Sequence, residues 1–249
     1  MIRKIWILTM FEDYFKSFVE FGVIGSAMRG ERSQDILFEL IPVSIPKFCD
    51  KGFKGVDDSP FGGGTGMVMR PDVLKNALVE GVVKAGGYHQ ENFMDELHII
   101  APGPRGKTWD QPQAKEFAKT YLSCNSTKDL VFICGRYEGI DERFLQRYVH
   151  QHISIGNFIL TGGELAVMTI LDSSLRFAPE VLGNKQSALN ESFFNNSLEH
   201  ALYTRPRVFE GLEVPDALKS GHHKKIADFQ KQSAKELTES FRKDLKQDE

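Results

Sequence analysis

The sequence predicts an α/β fold in which a parallel sheet is covered by helices on both faces. Up to Phe177, short apolar runs alternate with segments whose apolar residues recur at helical spacing. The apolar runs, such as Leu130–Cys134, are nearly continuous instead of alternating with polar residues. That pattern is typical of strands buried on both faces of a parallel sheet.

The predicted elements follow in chain order from this periodicity. Strands are expected at Ile5–Thr9, Asp35–Ile41, Leu97–Ala101, Leu130–Cys134 and within His152–Leu160. Helices are expected at Asp13–Met28, Pro71–Ala85, Pro112–Leu122, Asp141–Val149 and Glu164–Phe177. A long loop before the second helix contains the glycine-rich run at 62–66.

The pattern changes near Pro179. Residues 179–215 carry Gly, Asn, Ser and Pro with little periodicity, and a loop of that length is usually functional. Beyond it, apolar residues again recur every three or four positions, which predicts an amphipathic helix. We therefore expect a main domain at 1–178, a linker or lid at 179–215 and a small helical domain at 216–249.

Composition and charge exclude several classes of protein. The chain has 249 residues, 41% apolar and 26% charged, with a net charge of −3, and these are globular values. No apolar run approaches the ~20 residues of a membrane span. The cysteines Cys49, Cys124 and Cys134 are scattered and form no disulfide or zinc pattern. We expect a cytoplasmic protein with no metal site, no membrane association and no DNA partner.

Residues 101–108 fit a relaxed phosphate-loop pattern in which Lys107 would reach the phosphates. Pro102 and Pro104 weaken the match because they remove two N–H donors from the cradle. The next predicted helix starts only at Pro112, so its N-terminus would not face a phosphate. A nucleotide hydrolase stays open as an alternative at this point.

Three successive strands end in loops that carry glycine. These loops contain Gly103 and Gly106, then Gly135 and Gly139, then a third group, Gly156, Gly162 and Gly163. Ligands of open α/β sheets bind outside the carboxyl ends of the strands, and glycine there lets the backbone approach a ligand closely. Three such loops in series favour a ligand site over ordinary turns.

Longer motifs resemble those of the bacterial tRNA (guanine-N1)-methyltransferases, the TrmD family. The matching blocks occur in the same order along the chain, at Val56–Met67, Cys134–Arg143, Ser154–Thr169, Arg176-Phe177 and Tyr203–Pro206. A ten-residue block and a sixteen-residue block at the right separation are far more specific than the short patterns above.

The resemblance implies a SPOUT-type α/β fold with a deep C-terminal trefoil knot. It also implies a homodimer with its active site at the interface, and tRNA as the substrate, methylated at N1 of guanosine 37, 3′ of the anticodon. S-adenosyl-L-methionine would be the cofactor. By the resemblance, its contacts fall on Pro104, Gly135, Tyr137, Gly139, Ile155, Gly156, Asn157, Phe158, Ile159, Leu160, Gly162 and Gly163.

The reaction itself requires two groups near guanine. N1 carries a proton at neutral pH, so a base must remove it, and a cation near O6 would stabilise the charge that develops there. Arg176 matches the family's arginine. Glu191 stands where the family has its aspartate base, and Ala201-Leu202 replaces a Pro-His pair.

Contact with tRNA is expected on a local basic patch, because phosphate binding needs positive charge that the net charge does not show. The candidates are Arg205, Arg207, Lys219, Lys224 and Lys225, with Glu138 and Glu199 as further substrate contacts. Besides the methyltransferase and the nucleotide hydrolase, two functions stay open. One is an RNA-binding module that has lost catalysis, and the second is an enzyme of the same fold that acts on a different RNA.

Overall fold

The computed structural model describes residues 2–32, 35–182, 191–193 and 195–246. The chain divides into two compact units, Met1–Gly183 and Asn184–Glu249. The predicted linker at 179–215 therefore spans the boundary between these units, and its residues 183–190 and 194 lie outside the described part of the chain.

The first unit is built on a five-stranded parallel sheet, which confirms the predicted α/β class. Its strands are β1 (Ile2–Thr9), β2 (Leu37–Ser44), β5 (Leu97–Thr108), β6 (Asp129–Ile133) and β7 (Gln151–Ser154), in the order β2-β1-β6-β5-β7. Two short strands, β3 (Asp57–Asp58) and β4 (Val68–Met69), form an antiparallel pair that flanks the glycine-rich run.

Helices cover both faces of this sheet. In the first unit they are α1 (Lys16–Glu20), α2 (Gly22–Met28), α3 (Pro71–Leu78), α4 (Phe93–Glu96), α5 (Gln111–Tyr121), α6 (Glu142–Tyr148) and α7 (Glu164–Leu175). Ile5 and Ile7 of β1 lie in a core with α1, α2, α5 and α7, whereas Trp6 and Leu8 lie in a second core with α3 and α6. Both faces are buried, which explains why the strand sequences are continuous apolar runs.

Two helix starts have side-chain caps that the sequence makes possible. Asp110 accepts a hydrogen bond from the Gln113 N–H at 2.8 Å and caps α5. Asp141 accepts one from the Arg143 N–H at 2.9 Å and caps α6. Each cap satisfies a donor that the first helical turn leaves unpaired.

Some predicted boundaries are wrong. The helix expected at Asp13–Met28 is interrupted, because Phe21 is extended (φ −118°, ψ 159°) and Gly22 has φ of +72°. A 3₁₀ turn at Glu12–Phe15 and the short helices α1 and α2 replace it. Strand β5 continues seven positions beyond its predicted end at Ala101, to Thr108. The strand expected within His152–Leu160 is β7, which begins at Gln151 and ends at Ser154.

The second unit contains a hairpin and two helices. Its elements are β8 (Val208–Phe209), β9 (Leu212–Glu213), α8 (Asp216–Lys219) and α9 (His223–Phe241). Two hydroxyls of α9 accept backbone hydrogen bonds: the Leu198 N–H donates to Thr238 Oγ1 at 2.9 Å, and the Ala201 N–H to Ser233 Oγ at 3.0 Å. Part of the predicted linker is therefore fixed to α9.

Across the described ranges of both units, no helix is long and apolar enough to span a membrane.

A polar network closes the amino-terminal edge of the sheet. The Trp6 Nε1–H donates to the Tyr88 hydroxyl at 3.0 Å, and that hydroxyl donates to Asp129 Oδ2 at 2.5 Å. The Lys4 N–H donates to the other carboxylate oxygen at 3.1 Å. Burial and the hydrogen bond to Asp129 raise the pKa of Tyr88, so the phenol stays protonated and remains a donor.

We expect Tyr88→Phe to reduce the free energy of unfolding by about 1–3 kcal/mol, because it removes a donor from Asp129 and an acceptor from Trp6. Urea denaturation of the parent and the variant measures this difference. An unchanged midpoint and slope would show that the hydroxyl contributes nothing to stability.

Candidate active site

A cavity of about 340 Å³ opens at the carboxyl ends of β5, β6 and β7. Its volume lies in the range of small-molecule pockets, ~300–1,000 Å³. The three predicted glycine loops form its walls, and the predicted cofactor contacts line it with the exception of Asn157. The structure thus brings together residues that are spread from Pro104 to Gly163 in the sequence.

The first wall is a bulge in β5. Pro102 and Lys107 both pair with Ile153 of β7, so residues 103–106 leave the ladder, and Gly103 and Pro104 among them border the cavity. A Cβ on Gly106 would lie 2.3 Å from the Ile153 carbonyl carbon, which explains why glycine is needed there.

The same geometry argues against the phosphate-loop alternative. Residues 101–108 belong to a strand, with Lys107 in its ladder, and the next helix begins only at Gln111. A phosphate cradle needs backbone N–H groups that converge at a helix N-terminus, and this segment does not provide that arrangement.

The second wall is the loop after β6, at 135–139. Tyr137 and Gly139 have positive φ of 59° and 128°. This loop is hydrogen-bonded to the segment that follows the glycine-rich run: the Glu138 N–H donates to the Met67 carbonyl at 3.0 Å. A Cβ on Gly66 would lie 2.4 Å from Glu138 Cγ, so the run can approach Glu138 this closely only with glycine at that position.

The third wall is the segment that follows β7. Gly156 has φ of 147°, and the Ser154 hydroxyl donates to its carbonyl at 3.2 Å. The large apolar side chains of Phe158 and Ile159 are 57% and 83% exposed, although they border the cavity. Apolar groups in that position are available to cover a bound ligand.

The second and third walls cross at very short range. The Gly163 N–H donates to the Gly135 carbonyl at 2.9 Å. A Cβ on Gly163 would lie 2.8 Å from Cys134 Cα, and one on Gly162 would lie 2.3 Å from Arg136 Nε. Gly163 is therefore required by the close approach of two backbone segments, and Gly162 leaves room for the Arg136 guanidinium in its present position.

A buried ion pair lies beside this crossing. Arg136 Nη2 is 2.8 Å from Glu164 Oε2, and the side chain of Glu164 is 1% exposed. The Thr9 hydroxyl donates to Glu164 Oε1 at 2.8 Å. Burial, with the neighbouring Glu164 charge, raises the pKa of the Cys134 thiol, which therefore stays protonated at neutral pH. The sequence interpretation assigned neither Thr9 nor Glu164 to the site.

A family model described as tRNA (Guanine-1)-methyltransferase TrmD matches residues 3–248. This chain belongs to the TrmD family.

Relatives named tRNA (guanine-N(1)-)-methyltransferase match nearly the whole of this TrmD-family chain. The relative from Ruegeria sp. (strain TM1040) is 39% identical over 244 residues, covering 98% of this chain and 92% of its own length. The one from Bartonella bacilliformis is 41% identical over 239 residues, covering 96% and 93%. The one from Clostridium beijerinckii is 39% identical over 242 residues, covering 97% and 91%.

In this TrmD-family chain, Arg176 does not border the cavity. It follows the last residue of α7, whereas the cavity lies at the first, next to Gly163. Thirteen positions at 1.5 Å per residue separate the two ends by about 20 Å. Arg176 instead lines a second groove of the first unit, with Phe18, Phe21 and Met168 among its apolar residues.

The remaining candidates lie in the second unit. Glu191 is half-buried, and the backbone N–H of Glu199, also half-buried, donates to Ser192 Oγ at 2.9 Å. Of the basic candidates, Arg205, Arg207, Lys224 and Lys225 are exposed.

Lys219 of the second unit is already engaged by acidic neighbours. Its Nζ lies 2.7 Å from Asp216 Oδ1 and 3.5 Å from Glu213 Oε2. The hydrogen bond with Asp216 raises the pKa of Lys219, so the ammonium stays charged, but the two carboxylates offset its charge.

Two glycine substitutions in this TrmD-family protein distinguish a glycine that is crowded by neighbouring backbone from one that only lines the cavity. We expect Gly163→Ala to reduce the free energy of unfolding by about 1–3 kcal/mol, because the added methyl must push the crossing segments apart. Gly103→Ala is the matched control, since a Cβ there would meet no described heavy atom within 4 Å. Urea denaturation of both variants is the measurement, and equal stabilities would contradict the crowding argument.

Proposed function

We propose that this chain transfers a methyl group from S-adenosylmethionine to N1 of the guanosine at tRNA position 37, giving 1-methylguanosine. The observation that carries the proposal is the cavity formed by three glycine loops at the carboxyl edge of the sheet. Membership of the TrmD family supports the reaction, since the relatives are named for this activity.

The cavity suits an adenosyl ligand. A methyl group on Gly103 or Gly139 would meet no described heavy atom within 4 Å, so the backbone is open to a ligand at both positions. Ile155 and Leu160 add apolar surface. The residues proposed to hold the cofactor are Pro104, Gly135, Tyr137, Gly139, Ile155, Gly156, Phe158, Ile159, Leu160, Gly162 and Gly163, with Asn157 alongside. The cofactor supplies an electrophilic methyl group.

We further propose that the segments at the cavity are threaded as a deep trefoil knot. The backbone crossing of Gly163 over Cys134 and Gly135 supports this, because threading brings non-adjacent strand-end loops into direct contact. Knots are rare exceptions among protein folds, so the proposal rests on the family together with this crossing.

Two residues of this chain have separate roles at the guanine, as the base and as the cation that stabilises developing charge. The Glu191 carboxylate takes the proton from N1, and the Arg176 guanidinium stabilises the charge that develops on O6. Glu138 borders the cavity, which supports the proposal that it contacts the target nucleotide.

A homodimer accounts for the position of Arg176. The cavity lining reaches Ala166 of α7, and the ten positions from there to Arg176 span about 15 Å, which exceeds the reach of an arginine side chain. We propose that a second copy of this chain brings its Arg176 to the cavity. The groove around Arg176 supports a subunit contact, since Phe21 is 71% exposed there and is surrounded by other apolar residues.

The tRNA contacts are proposed for the second unit. Arg205, Arg207, Lys224 and Lys225 are exposed and can pair with phosphates. Lys219 contributes less, because Asp216 and Glu213 offset its charge, and Glu199 remains a proposed substrate contact.

The function is tested by primer extension on tRNA incubated with the protein and S-adenosylmethionine, which should show a stop at guanosine 37 and at no other position. Calorimetric titration should show binding of S-adenosylmethionine but not of ATP. Lys107→Ala should leave the cofactor affinity unchanged. ATP binding that this substitution abolishes would instead support the nucleotide hydrolase, and a stop elsewhere would indicate another RNA substrate.

We expect Arg176→Ala to lower the single-turnover rate on the order of 10²–10³-fold without changing cofactor affinity, because it removes a donor to developing charge. Gly103→Leu should be inactive because its side chain fills the cavity. Mixed dimers of the two variants, isolated through different tags, should regain activity, since one cavity then receives an intact Arg176. Mixed dimers without activity would contradict a contribution between subunits.

Glu191→Gln keeps the size of the side chain and removes the base, so methylation should fall on the order of 10²–10⁴-fold while cofactor binding persists. Glu191→Asp should also be impaired, because a ~1 Å displacement of a catalytic group can cost ~10²-fold. Single-turnover methylation of tRNA measures both. If Glu191→Gln stays within a few-fold of the parent, Glu191 is not the base and Glu199 is the next carboxylate to test.

A further inference from the structure

Glu164 is a buried carboxylate that the proposed chemistry leaves unused. It is the first residue of α7 and directly follows Gly162 and Gly163 at the cavity. Its Oε1 accepts hydrogen bonds from the Thr9 hydroxyl at 2.8 Å and from Arg136 Nε–H at 3.3 Å. Its Oε2 lies 2.8 Å from Arg136 Nη2.

The three side chains come from three separate parts of the fold. Thr9 is the last residue of β1 and is fully buried, so it is anchored in the sheet. Arg136 belongs to the loop after β6, and its Nη1–H also donates to the Thr161 carbonyl at 3.2 Å. Arg136 therefore contacts both ends of the segment 161–164, while its own loop forms the opposite wall of the cavity.

The outer side of this cluster is covered by aromatic rings. The Arg136 guanidinium carbon lies 4.7 Å from the centroid of Phe11 and 5.6 Å from that of Tyr14. The Phe11 N–H donates to Thr9 Oγ1 at 3.0 Å, which orients the hydroxyl toward Glu164. The guanidinium is thus confined on several sides.

We propose that Thr9, Arg136 and Glu164 form a latch that positions the loops 135–139 and 161–163 for cofactor binding and methyl transfer. The inference rests on the proposed function. Gly162 and Gly163 have no side chains with which to fix their own conformation, and the backbone crossing requires glycine at Gly163. Neighbouring groups must therefore impose the shape of this wall, and the latch contacts both sides of the crossing.

A purely stabilising role accounts poorly for a buried ion pair. Replacing such a pair by apolar residues is often neutral or favourable for stability, so its presence is weak support for a stability role. A polar cluster held by directional hydrogen bonds does specify one geometry, and here two such bonds converge on Glu164 Oε1 while the ion pair holds Oε2. Arg136 lines the cavity, whereas Thr9 and Glu164 do not, so these two are positioning residues that act through Arg136.

Two variants test the latch. Glu164→Gln removes the charge that holds Arg136, and Thr9→Val removes the hydroxyl while keeping the shape of the side chain. Tyr88→Phe is the matched control, since it also removes a hydroxyl that donates one hydrogen bond and accepts another but lies at the opposite edge of the sheet. For each protein, calorimetry gives the Kd of S-adenosylmethionine, single-turnover methylation gives the rate, and thermal unfolding gives Tm.

We expect Glu164→Gln to raise the cofactor Kd at least tenfold and Thr9→Val at least threefold, with Tyr88→Phe within twofold of the parent at a similar loss of Tm. The double variant should show a smaller effect than the product of the two single effects, because both act through one cluster. If Glu164→Gln does not fold, Thr9→Val and its control decide the question.

The outcomes distinguish the latch from the proposed function. If the parent binds S-adenosylmethionine and both variants lower Tm while Kd and the methylation rate stay within twofold, the cluster is merely structural and the latch is overturned. If the parent does not bind S-adenosylmethionine, the cofactor assignment itself is wrong and the latch falls with it.

Discussion

The candidate site depends on one steric constraint, the crossing of two backbone segments at Gly163. The Gly163 N–H donates a hydrogen bond to the Gly135 carbonyl, and the space beside Gly163 is too small for a β-carbon on that residue. Backbones that approach this closely must have glycine at the contact. The segments that follow β6 and β7 are held together here, and with the bulge of β5 they enclose the cavity at the edge of the sheet where parallel strands present ligand sites.

Charge is used differently at the two edges of the sheet. At the amino-terminal edge, Tyr88 and Asp129 form a network of a phenol and a carboxylate. At the carboxyl edge, a complete ion pair, Arg136 with Glu164, is buried beside the crossing. Removing one member of a buried pair costs about 3–5 kcal/mol, since the other charge is left uncompensated. A small displacement of one member of such a pair costs more free energy than the same displacement in apolar packing. The pair lies where the two backbone segments approach most closely.

Much of the fold could be predicted from local patterns. Continuous apolar runs identified the strands because both faces of the sheet are buried, as Ile5 and Trp6 show by entering different cores. The glycine loops indicated the site because their strands end at a common edge. The prediction of one helix at Asp13–Met28 was wrong because the apolar periodicity continues across Gly22. The left-handed backbone of Gly22 interrupts the helix there.

Other features could not be predicted because they depend on distant residues. Thr9 and Glu164 are 155 positions apart, and neither belongs to a local motif. Residues 102–108 contain prolines and glycines that argue against a strand, yet the ladder resumes at Lys107 because β7 offers the same partner, Ile153, a second time. Arg176 lies far from the cavity because α7 separates them. The local sequence around Arg176 does not indicate this distance.

The bulge in β5 separates the binding wall from the scaffold. Pro102 and Lys107 share one partner on β7, so the four intervening residues add nothing to the alignment of the strands. An insertion or deletion within 103–105, which leaves Gly106 against Ile153, would reshape one side of the cavity and leave the pairing on either side unchanged. Sequence changes in the bulge can therefore alter ligand preference in small steps while the pairing of the strands is kept.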